Sequence, residues 1–381
     1  MRVVVAPDKF KGSLPAAEVA AAVAEGLRSA DPDGSTVILP VADGGDGTVA
    51  AALAAGFTEQ VVVVEGPTGA PVRTSYGLDG HRGVVELAAA CGLDLLPGGR
   101  PDPLRASTYG LGQVIADAVE RGATELVVGI GGSASTDGGA GMVQALGARL
   151  LDSAGGDLPR GGAALRDVAA LDVDVLRQRL AGVRVVVACD VDNPLLGPRG
   201  AAAVFGPQKG AGPEDLAELE AALATWAELV ARTVGADVAE HPGAGAAGGT
   251  GFAAVALLGA TLAPGIELVL DLLDFDIAVR GADLVVTGEG SLDEQSLAGK
   301  APVGVASAAA RAGVPVVAVA GRSLLSQARL RQAGISAVYP LADLEPDPAR
   351  SMANAAQLLR VVGERIGREW LLRDKVESRI L

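Results

Sequence analysis

The chain has 381 residues, of which 49% are hydrophobic and 20% are charged. This length predicts two or three domains, and the composition is typical of a globular protein with a large core, which excludes a disordered chain. The net charge of −15 argues against a nucleic-acid partner, and it means that an anionic substrate must be held by local positive groups or a metal ion.

The opening segment alternates between apolar strands and helices. The run "RVVVA" predicts a strand, and residues 14–30 predict a helix with Ser13 as its N-cap. "STVILPVA" predicts the next strand, "VAAALAAG" the next helix and "QVVVVEG" a third strand. Strands that alternate with helices indicate a parallel sheet.

The pattern changes near residue 66, where a second unit is expected to begin. "VRTSYGL" and "RGVVELA" flank a turn at Asp79–Gly80 and predict a β-hairpin. Helices are predicted at 109–121 and 138–151, followed by the strand "RVVVACD" and the helix "PEDLAELEAALATWAELVART". The uncharged segment 241–266 is long enough to span a membrane, but its glycines and two prolines favour a buried loop and helix.

From "ADLVVTGEG" onward the simple alternation returns. The sequence predicts a helix in "APVGVASAAARAG", a strand in "PVVAVAG", a short helix, a strand in "SAVYPL" and a long C-terminal helix. Because this pattern is similar to that of the opening segment, we expect one domain built from both ends of the chain, with an insertion between them.

Six loops share one design, in which an apolar strand runs into glycine and then into polar groups: "APDKFKGS", "VADGGDGT", "GIGGSASTDGGAG", "ACDVDNP", "FGPQKGA" and "TGEGSLDEQSLAGKAP". Glycine lets the backbone approach a phosphate, a following helix N-terminus adds N–H donors, and ligands of open α/β sheets bind at the carboxyl ends of strands. A seventh loop, "PGAGAAGGTGF", matches a dinucleotide-binding pattern, but no predicted strand precedes it, so the match is weak.

Carboxylates and lysines concentrate in these loops. Phosphoryl transfer needs a magnesium ion held by one or two carboxylates, and a carboxylate that orients or deprotonates the attacking hydroxyl. For each aspartate alone, a helix cap or a turn is the competing interpretation. The two histidines, His81 and His241, offer no base for a serine triad and no ligand set for zinc. Two cysteines are too few for a disulfide framework, and they predict a reducing, cytoplasmic compartment.

Taken together and in this order, "APDKFKGSL", "VADGGDGT", "GIGGSASTDGGAGMVQALGA", "ACDVDNPLLG", "FGPQKGA", "PGAGAAGGTGF" and "VTGEGSLDEQSLAGKAPVGVA" resemble the bacterial glycerate kinase type-1 family. The resemblance spans residues 1 to about 320. It implies an ATP-dependent kinase that phosphorylates D-glycerate to 2-phosphoglycerate. It also implies two α/β domains, a Rossmann-like one formed by 1–65 and 281–381 and an inserted one formed by 66–280, with the active site in the cleft between them.

The roles of individual residues are our own inferences. Asp190 ends a buried run, so burial is expected to raise its pKa toward that of a base that deprotonates the hydroxyl. Asp137 is expected to cap a helix or face a metal. The remaining assignments are catalytic Lys9 and Lys11, substrate-binding Gly131, Gly132, Ser133, Asn193 and Lys209, nucleotide-binding Gly288, Glu289, Gly290 and Lys300, and magnesium ligands Asp43, Asp46 and Asp293.

The expected cofactors are ATP and Mg²⁺. Because ATP, glycerate and the protein are all anionic, a divalent cation is needed to offset their mutual repulsion. The expected partners are therefore the small molecules D-glycerate and ATP, with no nucleic acid and no membrane. A second copy of the chain, in a homodimer, is a possible further partner. Three alternatives remain open. The first is a kinase of another small hydroxy acid, or of glycerate with 3-phosphoglycerate as the product. The others are an oxidoreductase and a non-enzymatic anion-binding protein.

Overall fold

The structure is a computed structural model, and it describes residues 1–371. The chain forms two compact units. The first contains Met1–Asp43, Ala50–Ala55 and the described chain from Ile266 onward, and the second contains Gly44–Val49 and Gly56–Gly265. The first unit is therefore discontinuous in sequence, and the second interrupts it.

The strands are β1 (Arg2–Pro7), β2 (Ser35–Ile38), β3 (Thr58–Glu65), β4 (Pro71–Asp79), β5 (Arg82–Glu86), β6 (Glu125–Gly129), β7 (Arg149–Leu151), β8 (Ala170–Asp172), β9 (Arg184–Ala188), β10 (Thr261–Ala263), β11 (Leu284–Leu292), β12 (Val316–Ser323) and β13 (Ala337–Pro340). The helices are α1 (Ala16–Ala30), α2 (Thr48–Ala54), α3 (Ala88–Cys91), α4 (Tyr109–Glu120), α5 (Ala140–Ala145), α6 (Asp174–Arg179), α7 (Ala201–Phe205), α8 (Pro213–Val234), α9 (Ala246–Leu258), α10 (Gly265–Leu272), α11 (Phe275–Ala278), α12 (Ala301–Arg311), α13 (Gln327–Gln332), α14 (Pro348–Ala353) and α15 (Ala355–Ile366).

The first unit is built on a parallel sheet of 5 strands in the order β13-β12-β11-β1-β2. Successive side chains of a strand point to opposite faces of the sheet, so β1 contributes side chains to the hydrophobic cores on both faces. Val4 packs with α10 and α12 on one face, and Val3 and Val5 pack with α1 and α15 on the other. This arrangement confirms the predicted α/β class, with a parallel-sheet unit formed by both parts of the chain.

The second unit is built on a mixed sheet of 6 strands in the order β10-β9-β6-β5-β4-β3. The strands β5, β6, β9 and β10 are parallel, whereas β3 and β4 pair antiparallel. The β4–β5 hairpin pairs Asp79 with Arg82, as the sequence predicted.

The prediction that β3 continues the first sheet is wrong. A tight turn, in which the Gly66 N–H donates to the Ala70 carbonyl at 2.6 Å, folds β3 back onto β4. Val64 on β3 then joins the core of the second unit. At the other boundary, Ile266 and Phe275 pack in the core of the first unit. The second unit thus contains Gly44–Val49 and Gly56–Gly265, rather than 66–280.

Three further predictions differ from the structure. Ser13 does not cap α1, which begins at Ala16, and its hydroxyl donates to the Met352 carbonyl. The helix predicted at 138–151 ends at Ala145, because Gly147 adopts a φ of +108° and the chain continues as β7. Residues 372–381 of the predicted C-terminal domain lie outside the described residues. Within 1–371, no helix is both long and apolar enough to cross a membrane.

Candidate functional site

In the first unit, polar side chains gather where β1, β2 and β11 end. These strands are neighbours in the parallel sheet, with Pro7 beside Gly288, and the Asp8 N–H donates to the Gly288 carbonyl at 2.8 Å. Asp8 and Glu289 therefore emerge side by side at the carboxyl edge of the sheet. Their side chains are only 7% and 8% exposed.

Asp8, Asp43 and Glu289 act on one another electrostatically, and we call them the carboxylate cluster. Burial raises the pKa of Asp8 to about 7, with Lys9 opposing the rise and Asp43 and Glu289 adding to it. Burial also raises the pKa of Glu289, and Asp43 adds to this rise as well. A cation at this edge of the sheet would relieve the repulsion among the three carboxylates.

A fourth carboxylate and two lysines flank the cluster. Asp293 accepts the Gln295 N–H at 2.9 Å, so it caps the turn Ser296–Ala298. The Ser296 hydroxyl and the Lys300 ammonium both lower the pKa of Glu289, against the effect of burial. Lys9 and Lys300 are half-buried, whereas Lys11 is exposed.

The two glycines predicted to bind nucleotide have different surroundings. A Cβ on Gly288 would lie 2.1 Å from the Val319 carbonyl oxygen, so this glycine is needed for β11 to pack against β12. A Cβ on Gly290 would lie 3.3 Å from the backbone nitrogen of Lys11, which brings the β11 and β1 loops together.

In the second unit, the glycine-rich loop after β6 surrounds a buried lysine. The Lys209 side chain is 2% exposed, and its Nζ donates to Ser133 Oγ at 2.7 Å and to the Ser135 carbonyl at 2.5 Å. Burial lowers the pKa of Lys209 to about 7, with Asp137 opposing this effect. The structure therefore brings Lys209 and Ser133 together, and it places the ammonium group inside the loop rather than at its surface. Gly131 and Gly132 are exposed at the outer side of the same loop.

Asp137 is fully buried and holds this loop against α4. Its Oδ2 accepts the Thr108 N–H at 2.8 Å and the Thr108 hydroxyl at 2.9 Å, and it also accepts the Gly141 N–H at the start of α5. Its Oδ1 accepts the Gly139 N–H at 3.2 Å. Of the two expected roles for Asp137, the structure supports the helix cap.

The loop 243–249, whose sequence matches a dinucleotide-binding pattern, is a packing element. Gly248 has a φ of +69°, and a Cβ there would lie 2.1 Å from the Ser135 carbonyl oxygen. The Gly248 carbonyl in turn accepts the Gly138 N–H at 2.9 Å. Glycine is thus required because two backbones meet, and the weak nucleotide-binding match is explained by packing.

The structure places Asp190 and Asn193 differently from the prediction. Asp190 is exposed, so its expected burial is wrong, because the carboxylate extends beyond the end of β9 to accept the Gly265 N–H at 2.9 Å. The Asn193 side-chain amide donates to the Arg199 carbonyl at 2.8 Å and so holds its own loop.

Two buried acidic residues at strand ends received no role from the sequence. Asp8 was there only one of the carboxylates in the quoted loops, and its local pattern is the same as that of the other aspartates that follow buried strands. Glu86, at the end of β5, is buried and accepts the Val49 N–H at 2.5 Å, which fixes the start of α2. It could have been found as the single charge that ends the apolar run "GVVE".

The predicted magnesium ligands do not form a complete cage. Asp43 and Asp293 belong to the first unit, and Asp46 belongs to the second, where it is exposed. Within residues 1–371, no group of three or more histidine, cysteine or acidic side chains is arranged to hold a metal ion. Mg²⁺, however, usually takes only one or two carboxylates and completes its shell with water and substrate phosphates. The buried Glu289 Oε1 has no hydrogen-bond partner in the described structure, so the carboxylate cluster fits this mode of binding.

Comparisons with known proteins agree with the geometry. The family model described as "Glycerate kinase family" matches residues 3–371. The chain is 46% identical to a glycerate kinase of Bacillus subtilis (strain 168), with 90% of each chain covered. It is also 46% identical to the glycerate 2-kinase of Escherichia coli (strain K12), with 89% of this chain and 90% of the relative covered. A crystal structure of a Salmonella typhimurium LT2 protein assigned as glycerate kinase 2 superposes with a TM-score of 0.88, at 43% identity and with 98% and 99% of the two chains covered.

Proposed function

The chain belongs to the glycerate kinase family, and we propose that it transfers a phosphoryl group from ATP to a hydroxyl of D-glycerate, with Mg²⁺, to give 2-phosphoglycerate. The observation that carries the proposal is the family match over residues 3–371. The Escherichia coli relative, named a glycerate 2-kinase, supports the choice of product. The two free cysteines support a cytoplasmic location.

The carboxylate cluster of the first unit supports the nucleotide and magnesium roles. ATP supplies the phosphoryl group, and Mg²⁺ offsets the negative charge of its phosphates. Glu289 and Asp43 would contribute carboxylate oxygens to the metal, and the unpaired Glu289 Oε1 is the atom best placed to do so. Lys9 and Lys300, each close enough to a buried carboxylate to shift its pKa, would offset the charge of the transferring group. Asp293 would act by shaping the turn that leads to Lys300.

The glycine-rich loop of the second unit supports the acceptor role. Gly131 and Gly132 are exposed glycines, whose backbone amides can approach an anion closely. They would receive the glycerate carboxylate together with Ser133. Lys209 would position Ser133 rather than touch the substrate, because its ammonium is buried and two of its three N–H donors are bonded inside the loop.

Two aspartates are candidates for the base that accepts the hydroxyl proton. Asp190 is the candidate from the sequence, and it follows β9 directly. Asp8 is the candidate from the structure, because it is a buried carboxylate at the carboxyl edge of the sheet beside Lys9, and burial raises its pKa and so strengthens it as a base. Replacing each by asparagine separates them, as described in the Discussion.

The proposed reaction is tested by coupled measurement of ADP release over a panel of small hydroxy acids, with and without magnesium. We expect D-glycerate to have the highest kcat/KM, and ³¹P NMR of the product to show 2-phosphoglycerate. A higher kcat/KM for another hydroxy acid, or 3-phosphoglycerate as the product, would replace the named substrate or product. ADP release with none of the acids would reduce the proposal to anion binding.

A further inference from the structure

A cavity of about 530 Å³ lies in the second unit, apart from the glycine-rich loop. Its wall combines the turn after β3, the start of α4 and the segment around β7. The charged and aromatic lining residues are Glu65, Arg105, Tyr109, Arg149, Asp157 and Arg160. This volume lies within the usual range for sites that hold small molecules. Three arginines in one concavity are notable in a chain whose net charge is −15.

Arg160 contacts two other residues that line this cavity. Its guanidinium carbon lies 3.3 Å from the centroid of the Tyr109 ring, and the group forms an ion pair with Glu65. A guanidinium group stacked on an aromatic ring keeps its in-plane N–H donors for a planar anion. It has five such donors, and one carboxylate can accept at most two of them in a bidentate pair. Arg160 therefore retains donors for a second oxyanion.

The other two arginines are held more loosely. Arg149 pairs with Asp157 at 3.1 Å, and Arg105 pairs with Asp102 at 3.0 Å. In both pairs at least one side chain is largely exposed, and exposed ion pairs of this kind contribute little to stability. Such a pair can open at little cost when a more highly charged ligand arrives.

We infer that this cavity binds a small oxyanion with two or more negative charges, a phosphate or polycarboxylate, through Arg105, Arg149 and Arg160, with the carboxylates of Glu65 and Asp157 as internal competitors for the same guanidinium groups. The anion binds the donors that Arg160 retains and competes with the protein carboxylates for the others. This site is distinct from the loop assigned to the glycerate carboxylate, since none of its lining residues belongs to that loop.

The test is calorimetric titration of the full chain at low ionic strength, with citrate and inorganic phosphate as separate probes. We expect saturable binding of at least one probe, weakened tenfold or more by Arg160→Gln. We expect the opposite sign, a gain of threefold or more, for Glu65→Gln, because this change removes the competitor and leaves the guanidinium. If the ion pair between Arg160 and Glu65 had only a structural role, both variants would change the affinity for the probe in the same direction, and the inference would be overturned.

Two further variants protect the test against a folding defect. Arg149→Gln removes a largely exposed side chain on β7 and should also weaken binding about tenfold, without touching the stack on Tyr109. Arg166→Gln is the matched control, since Arg166 is as exposed as Arg149 and is paired with Glu218, but lies outside the cavity. Absence of saturable binding, or equal affinities in wild type and in the Arg149 and Arg160 variants, would overturn the inference. The two probes distinguish a phosphate from a carboxylate ligand.

Discussion

Replacement of Lys209 by methionine should change how the stability of the second unit depends on pH. In the folded chain, burial lowers the pKa of Lys209 from 10.5 to about 7. Between those two values the unfolded chain therefore binds more protons at this position than the folded chain does. The free energy of unfolding consequently rises with pH across this window, and the gain is lost progressively as the pH falls from 10.5 to 7.

The magnitude follows from the size of the pKa shift. Each pKa unit corresponds to about 1.4 kcal/mol, so the free energy of unfolding should gain roughly 2 to 3 kcal/mol between pH 7.5 and 9.5 from this residue alone. Lys209→Met removes this titration. It also removes two hydrogen bonds from a charged donor, worth about 1.5 to 3 kcal/mol each, and at the same time relieves the cost of burying the charge. Because those effects oppose each other at pH 7, the slope with pH is the diagnostic quantity.

The chain offers a reporter for the second unit. Trp226 is buried, and its indole N–H donates to the Gly138 carbonyl at 3.1 Å. Urea unfolding in a Trp370→Phe background, followed by tryptophan fluorescence, therefore reports on the loop that Lys209 holds. Lys11→Met, at an exposed lysine, is the control and should leave the slope unchanged. Parallel curves for wild type and Lys209→Met between pH 7.5 and 9.5 would refute the burial of an ionisable amine at this site.

Four other predictions concern the proposed reaction and its scaffold. Asp8→Asn should lower kcat by 100-fold or more, whereas Asp190→Asn should stay within tenfold of wild type. The reverse order in the ADP-release assay would restore Asp190 as the base. Lys9→Met should lower kcat/KM at least tenfold with an unchanged melting temperature, and an unchanged kcat/KM would remove Lys9 from the site. Gly248→Ala should destabilise the second unit by more than about 3 kcal/mol, since its Cβ would meet the Ser135 carbonyl. The control Gly259→Ala, with a φ of +64° but open space around it, should cost only about 1 kcal/mol in urea unfolding. Removal of Mg²⁺ with EDTA should abolish ADP release and added Mg²⁺ should restore it, while unchanged turnover in EDTA would exclude the metal.

The sequence predicted those features of the fold that depend on local patterns. The β-branched runs, the alternation with helices and the Asp79–Gly80 turn all form as expected. The sheet to which β3 belongs was beyond this kind of reasoning, because a run such as "QVVVVEG" fits the edge of either sheet. The deciding feature is the turn 66–70, which is too short for anything except an antiparallel return.

Burial at the strand ends could not be predicted from the sequence. Asp8 and Asp190 both follow buried strands and both precede polar loops, so their local patterns are equivalent. What separates them is the covering of each strand end. Asp8 is buried at the end of β1, which pairs with β11, and Asp43 and Glu289 act on it electrostatically, whereas Asp190 is exposed beyond the end of β9. That covering depends on which strands are adjacent, which is a property of the topology and not of the loop sequence.

The positions of the lysines determine which groups of this acidic protein can attract an anionic substrate. Lys209 is enclosed within the glycine-rich loop, and Lys11 is exposed. Among the lysines of residues 1–371, Lys9 and Lys300 alone are half-buried beside the carboxylate cluster, where a positive charge acts through a lower effective dielectric than at the surface. In the second unit, the proposed attraction for a carboxylate would come from the backbone amides of Gly131 and Gly132, with the Lys209 and Asp137 hydrogen bonds holding the rest of that loop in place. In the second unit, the buried charges of Lys209 and Asp137 hold the glycine-rich loop in place. In the first unit, the charges of Lys9 and Lys300 would act directly on the phosphoryl group that is transferred.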